Sequence, residues 1–335
     1  MNLEFLRNKS ILITGGTGSF GRGFIKYLIE NSQAEKIVIF SRDELKQFKM
    51  EEEFKDAKKR LRFFIGDVRD LQRLQRAFRG INIIVHAAAL KQVPTLEYNP
   101  FEAVKTNIIG SQNVIDAAID QGVEKVLLIS TDKAAQPVNL YGSTKLCAEK
   151  LFISGNSYSG GKVKFSSVRY GNVIGSRGSI VETLLDNQGS DRVYITDERM
   201  TRFWITIEQA FNLVLFALDK MEGGEIFIPK APSMKLVDLF DCLAPDAQRE
   251  VVGIRPGEKL HETLLTKEEA MHSMDLDDYF VLLPEFQEIF SIENNFEKYL
   301  KLGKKLSEDI DFTSDVNKKW ITKEELKKII ENNLS

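Results

Sequence analysis

"ILITGGTGSFGRGFIKYLI", residues 11–29, joins an aliphatic run to a helical pattern through three glycines, Gly15, Gly18 and Gly21. Glycine at these points permits a tight turn, lets backbone N–H groups approach a phosphate, and allows close packing of helix on strand. The N-terminus of the helix then faces the phosphates with its positive dipole end. A GxxGxxG spacing alone is weak; between a strand and a helix at the head of a βαβ array it points to a dinucleotide site. Gly15, Thr17, Gly18, Ser19, Phe20 and Gly21 form the candidate cradle.

The array continues along the chain. Short β-rich runs stand at Ser10–Thr14, Lys36–Phe40, Arg62–Gly66, Ile81–His86, Lys125–Ser130 and Lys164–Arg169. Helical patterns fill 20–31, 43–58, 70–78, 100–121 and 141–157. This alternation predicts an α/β fold, a Rossmann-type doubly wound parallel sheet covered on both faces. A further strand at Glu225–Pro229, after a helix at 207–221, predicts that the large domain is interrupted by a smaller, interleaved C-terminal substrate domain. The expected division is 1–171 and about 205–230 for the cofactor, and 172–204 and about 231–290 for the substrate. Residues 291–335 read as a peripheral helical tail.

Composition bounds the function. The 335 residues are 43% hydrophobic and 28% charged, with a net charge of −3, which suits a globular protein and argues against general nucleic-acid or membrane-surface binding. Cys147 and Cys242 have no metal-like spacing, and neither do His86, His261 and His272, so no metal is expected. No run approaches the roughly 20 apolar residues of a membrane span, and "MNLEFLRNKS" is not a signal peptide. A cytoplasmic location is expected.

Four further stretches refine the cofactor site. The second strand ends Phe40-Ser41-Arg42-Asp43. Ser41 and Arg42, with Lys46 beyond them, suit a ribose 2′-phosphate and favour NADP. Asp43 keeps NAD open, or serves only to cap the helix of "DELKQF". Asp67 is placed to accept from an adenine amino group with Val68 against the ring, or to cap the next helix. Ala87, Ala88 and Ala89 in "HAAALK" leave room for a cofactor against the backbone.

The chemistry concentrates in "STDKAAQPVNLYGSTK", residues 130–145. Tyr141 and Lys145, four apart, share one face of a helix. A phenol near pKa 10 is a poor base at neutral pH, and a nearby ammonium favours its phenolate. Just before them stand Asp132 and Lys133, a second acid and base that alcohol oxidation does not need.

TGGTGSFG, HAAA, Asn107, the Ser130-Thr131 pair and Tyr141-x-x-x-Lys145 together resemble the extended short-chain dehydrogenase/reductase family. The resemblance implies that Tyr141 is the acid/base on a substrate hydroxyl, that Lys145 binds the nicotinamide ribose and lowers the tyrosine's pKa, and that Thr131 bonds the hydroxyl. Asp132-Lys133, with "SRDELKQF", "GDVRD", "HAAALKQVP", "RYGNVIGSRGS", "TRFW" and "GIRPGEKLHE", resembles the bacterial inverting UDP-N-acetylglucosamine 4,6-dehydratases over roughly residues 8–290. These begin pseudaminic acid biosynthesis, which serves flagellin glycosylation. By that likeness the chain is a hydro-lyase that carries a tightly bound, recycled NADP. Tyr141 oxidises C4, Lys133 removes the C5 proton and Asp132 protonates the departing C6 hydroxyl. Hydride then returns to C6, and C5 is reprotonated on the opposite face. Lys133 must be neutral to act, so burial or a nearby cation is expected to depress its pKa.

The substrate's nucleotide half has candidates in Lys91, Asn172, Arg177, Gly178, Ser179, Thr196, Arg199, Thr201, Arg202, Arg255 and Glu258. Arginines pair with a diphosphate, and a carboxylate accepts from ribose hydroxyls. Each is also readable as a surface ion pair. Homologues imply a homo-oligomer, with a hexamer among the expected forms.

Other outcomes stay open. A dehydratase/5-epimerase of capsule or O-antigen synthesis often has Met at the Tyr141 position. Retaining dehydratases usually carry an N-terminal membrane region, which is not read in these residues. A 4-epimerase needs Thr, Tyr and Lys but no Asp132-Lys133 pair. An NADP-sensing Rossmann protein without catalysis should lack Tyr141 or Lys145, and both are present.

Overall fold

A computed structural model describes residues 3–175, 180–186, 192–285, 297–307 and 309–334. Its strands are β1 (Ser10–Thr14), β2 (Lys36–Ser41), β3 (Leu61–Ile65), β4 (Ile83–His86), β5 (Lys125–Ile129), β6 (Lys164–Val168), β7 (Asn172–Val173), β8 (Arg192–Ile195), β9 (Thr201–Ile205), β10 (Ile226–Pro229), β11 (Ser233–Lys235), β12 (Gln248–Val251), β13 (Thr263–Leu265), β14 (Ser273–Asp275), β15 (Tyr279–Leu282), β16 (Lys304–Lys305) and β17 (Phe312–Thr313). The helices are α1 (Ser19–Asn31), α2 (Glu44–Glu53), α3 (Leu71–Ala77), α4 (Val93–Tyr98), α5 (Pro100–Ala103), α6 (Gly110–Gln121), α7 (Leu140–Tyr158), α8 (Ile180–Asp186), α9 (Ile207–Lys220), α10 (Leu236–Leu243), α11 (Lys267–Ala270), α12 (Glu297–Leu302) and α13 (Lys323–Leu334). A π-helical stretch, Val104–Ile109, links α5 to α6.

The main sheet runs β16-β14-β15-β10-β6-β5-β4-β1-β2-β3. It is parallel from β3 to β10. Every residue of β1 is buried, as a strand covered on both faces requires. Successive side chains alternate between two cores: Ile11 and Ile13 join Phe24, Leu28, Phe211 and Val214 on one face, while Leu12 joins Ile84, Val126 and Phe165 on the other. The fold is thus the Rossmann-type doubly wound sheet. Strand order reverses at β1, which lies between β2 and β4, so a crevice opens beyond their C-terminal ends. Thr14 faces His86 in register, and the glycine turn and the HAAA turn leave the sheet side by side there.

The C-terminal third departs from the sequence expectation. Ser273–Leu282 extends the main sheet by antiparallel pairing of β15 on β10 and β14 on β15, because the apolar run of β15 buries Phe280, Val281 and Leu282 in the main core. Much of 297–334 is likewise built in rather than peripheral. β16 pairs with β14, Phe312 packs 4.7 Å from Phe203, and Ile321 and Leu326 enter the smaller core with Trp204, Met234 and Phe240.

Candidate active site

The glycine turn is shaped for a group lying on its backbone. Gly15 has φ +66°, and a Cβ there would stand 2.9 Å from the Ala88 nitrogen. A Cβ on Gly21 would stand 2.6 Å from the Gly15 oxygen. The N-cap of α1 is Gly18, which brings no capping side chain to the helix start. Thr14 holds the facing turn: its Oγ1 pairs with His86 Nδ1 at 2.7 Å and accepts from the Ala88 N–H at 3.2 Å. Burial, and then the nearby Lys145 cation, push the His86 pKa down to about 3, so the ring is neutral.

Two adjoining clefts, of about 560 and 550 Å³, share Gly15, Thr17, Gly18, Lys46, Ala87 and Ala89. The outer one continues over Ser41, Arg42, Asp43, Asp67, Val68 and Ala88. Within it Asp43 caps α2, accepting from the Lys46 N–H at 2.9 Å. Ser41 Oγ accepts from Gln47 at 3.0 Å. Asp67 is paired with Arg69 at 2.7 Å and Arg42 at 3.7 Å. Arg69 was not foreseen; its pairing with Asp67 gives this end three cations, Arg42, Lys46 and Arg69. These cations are balanced by carboxylates, Lys46 by Asp43 at 3.0 Å and Arg69 also by Glu102 at 3.0 Å; the glycine backbone at the helix start fits a dinucleotide.

The inner cleft reaches the catalytic stretch. It is lined by Ser19, Phe20, Gly21, Lys91, Thr131, Asp132, Lys133, Tyr141, Lys145 and Asn172 among others. β5 ends at Ile129, a 3-10 turn at Asp132–Ala134 follows, and α7 starts behind Asn139, whose side chain accepts from the Gly142 N–H at 2.8 Å. Asn139 also donates to the Gly257 carbonyl at 2.8 Å, tying the RPGEK loop to this helix. Asn107, in the π-helical stretch, donates to the Leu90 carbonyl at 2.9 Å and to Thr144 at 3.0 Å, fixing the alanine turn against α7.

Gly142 is needed where it stands. A Cβ there would lie 2.1 Å from the Lys133 carbonyl oxygen. Gly142→Ala is expected to displace Lys133 and destabilise the fold by about 1–3 kcal/mol. Thermal unfolding beside turnover measures both effects.

Thr131 Oγ1 donates to Asp132 Oδ1 at 2.9 Å. Lys133 Nζ stands 3.0 Å from Asp132 Oδ1 and 3.2 Å from Glu262 Oε1. Burial works to lower the lysine's pKa, but Asp132 and Glu262 outweigh it and hold Lys133 protonated, above the ordinary lysine value. This reverses the expectation of a depressed pKa, because the two carboxylates were not both in view. Burial, with Asp132, pushes the Tyr141 phenol up to about 12, against the pull of Lys133 and the Thr131 hydroxyl. The cation acting on Tyr141 is therefore Lys133. Lys145 is itself brought down to about 8 by burial, with Glu149 opposing.

Among the sugar-nucleotide candidates, Lys91, Thr131 and Asn172 line the inner cleft. Thr201 and Arg202 are buried joints instead: Thr201 bonds His261 and Ser314, and Arg202 donates to the Thr201 and Leu260 carbonyls. Arg199 is exposed and paired with Asp197, and Arg255 is exposed. Neither they nor Thr196 or Glu258 lines these two clefts. Arg177, Gly178 and Ser179 lie outside the described residues.

Residues 11–284 match the family model described as polysaccharide biosynthesis protein. The chain belongs to that family. It is 48% identical, over 96% of its length and 97% of the relative's, to a UDP-N-acetylglucosamine 4,6-dehydratase (inverting) of Campylobacter jejuni. It is 38% identical, over 96% and 95%, to a UDP-glucose 4-epimerase of Rickettsia rickettsii. Among solved structures, Pen from Bacillus thuringiensis superposes with a TM-score of 0.88 at 38% identity, covering 98% of this chain and 99% of that one. Members of the family thus include proteins named for elimination and for epimerisation, and the residues beyond the Tyr141–Lys145 pair become decisive. Among the described residues no helix is long and apolar enough to cross a membrane, and no cluster of His, Cys, Asp and Glu is arranged to hold a metal ion.

Proposed function

We propose that the chain is an NADP-dependent, inverting UDP-N-acetylglucosamine 4,6-dehydratase, a hydro-lyase. It converts its substrate to UDP-2-acetamido-2,6-dideoxy-β-L-arabino-hex-4-ulose. The observation that carries this reading is the convergence of Thr131, Asp132, Lys133 and Tyr141 on one cleft, with an acid and a base beyond what oxidation requires. The 48% identity to an inverting enzyme supports the sugar and the inversion at C5.

NADP, held along the glycine turn at Gly15 and Gly18, would supply the hydride acceptor for C4 and the donor for C6. Tyr141 takes the C4 hydroxyl proton while Thr131 orients that hydroxyl, and Lys145 holds the nicotinamide ribose. The new ketone acidifies the C5 proton. The resting Lys133–Asp132 ion pair carries the proton needed next. Its transfer along the 3.0 Å contact breaks an N–H bond and forms an O–H bond, leaving a neutral amine and a carboxylic acid. The amine removes the C5 proton; the acid protonates the leaving C6 hydroxyl, which departs as water. The elimination returns Lys133 and Asp132 to the ion pair; a solvent-derived proton delivered to the opposite face of C5, as hydride returns to C6, completes the inversion.

We assign NADP to the parallel sheet and the uridine diphosphate to the smaller lobe, with Lys91 and Asn172 at the junction. Ser41, Arg42 and Lys46 take the 2′-phosphate. Arg42→Ala should then weaken NADPH binding about 10–100-fold, the value of a charge-assisted hydrogen bond, and leave NADH binding nearly unchanged. Fluorescence titration of the two reduced nucleotides checks this.

A homo-oligomer acting in the cytoplasm at the start of pseudaminic acid synthesis completes the assignment. A 4-epimerase would leave the 6-hydroxymethyl group intact. Mass spectrometry of the nucleotide sugar after incubation with the protein separates the two: loss of one water supports dehydration, and an unchanged mass with C4 inverted supports the epimerase.

A further inference from the structure

Glu262 reaches the acid–base cluster from the C-terminal third of the chain. It precedes β13, and its backbone is held at both ends: its N–H donates to Ser314 Oγ at 2.9 Å, and its carbonyl accepts from the Ser314 N–H at 2.8 Å. Its side chain is 3% exposed, and it is not among the residues lining the clefts. A buried carboxylate must find cations or hydrogen-bond donors. Three cations surround it. Arg202 Nε and Lys259 Nζ each stand 3.9 Å away, and both already serve backbone carbonyls, Arg202 those of Thr201 and Leu260, Lys259 that of Ala135 at 2.7 Å. Lys133 Nζ, at 3.2 Å, is its nearest partner.

Lys133 differs from its two anchors. Asp132 and Glu262 are almost wholly buried, while the lysine side chain is 27% exposed, on the cleft wall. Its stem is free to turn about four torsions, and Asp132, its chain neighbour, restrains the head only locally. The second carboxylate comes from another part of the chain and limits Nζ to one place on that wall. The charged groups facing Nζ are Asp132 from the turn after β5, Glu262 and Lys259 from the segment before β13, Arg202 from β9, and Tyr141 from α7.

We propose that Glu262 is the positioning residue for Lys133: it holds the amine where the C5 proton is removed, and serves elimination but not C4 oxidation. This rests on the reading of the chain as a dehydratase. A buried carboxylate that only neutralised Arg202 and Lys259 would act on the fold as a whole and slow both steps together.

The test uses the NADP-loaded full chain with UDP-N-acetylglucosamine. In Glu262→Ala, elimination, followed as loss of water by mass spectrometry, should fall about 100-fold, the usual cost of misplacing a reacting group by about 1 Å. Hydride transfer from C4, read as absorbance of the reduced nicotinamide in a single turnover, should persist and the reduced form should accumulate. Glu262→Gln keeps the buried shape and a neutral acceptor, serves if the alanine variant does not fold, and should show the same split with a smaller loss, about tenfold. A parallel fall in both steps, or elimination at the wild-type rate, overturns the proposal. A second readout is independent of the substrate. The Lys133 side-chain NMR signal, assigned with Lys133→Arg, should titrate at lower pH in Glu262→Gln than in the wild type. An unmoved midpoint overturns the proposal. If the wild type itself makes no dehydrated sugar, the dehydratase reading fails, and the titration still decides whether Glu262 governs Lys133.

Discussion

Lys133→Ala should nearly abolish dehydration while C4 oxidation persists at a reduced rate. In the proposed mechanism the amine takes the C5 proton, and general base catalysis contributes about 10²–10⁴-fold, so turnover should fall by that factor. The proposed C4 oxidation relies on Thr131, Tyr141 and Lys145, none of which is removed. A single turnover should therefore generate reduced cofactor that persists, visible by its absorbance, with a 4-keto sugar still carrying its 6-hydroxyl. Removal of Lys133 also takes away the cation that opposes the rise in the Tyr141 pKa. Oxidation should accordingly be slower at neutral pH than in the wild type and recover as pH is raised. Full turnover by this variant would show that Lys133 is not the base.

Tyr141→Phe should have the opposite signature. The phenolic hydroxyl on the cleft wall is lost, and with it the proposed acceptor for the C4 proton. No reduced cofactor should form, and turnover should fall about 10²–10⁴-fold. Nothing downstream can rescue it, because the C5 proton is acidic only after C4 becomes a ketone. In the wild type, burial pushes the Tyr141 pKa up to about 12 and places the Lys145 pKa at about 8. Hydride transfer should therefore rise with pH from neutral into the alkaline range, as the phenol loses its proton. Stopped-flow absorbance at several pH values measures both the variant's silence and the wild-type slope.

The fold was legible because its strands are short apolar runs separated by helices, and the ends of the strands read from the pattern lie within about two residues of those observed. Residues 273–282 were misplaced because a buried edge strand such as YFVL reads the same in either domain. The glycine turn was legible because what glycine does there depends on local backbone shape. The substrate end was less so, since Thr201, Arg202, Arg199 and Glu258 carry the right chemistry in a linear string and only packing shows which way they turn. Glu262 lies four residues beyond Glu258 in the quoted GEKLHE, and no spacing marks it. Its meaning comes from meeting Lys133, 129 positions earlier. That meeting also overturned the expected depressed pKa of Lys133, since a charge partner distant in sequence decides the sign.

The central claim is that one cleft oxidises C4 and then eliminates across C5 and C6. Incubation of the protein with UDP-N-acetylglucosamine in D₂O, followed by NMR of the sugar, tests it most directly. The expected product is a 4-keto-6-deoxy sugar with one deuterium at C5, couplings of the L-arabino configuration, and no net consumption of NADP. A sugar that keeps its 6-hydroxymethyl group and carries no deuterium at C5 would contradict the account.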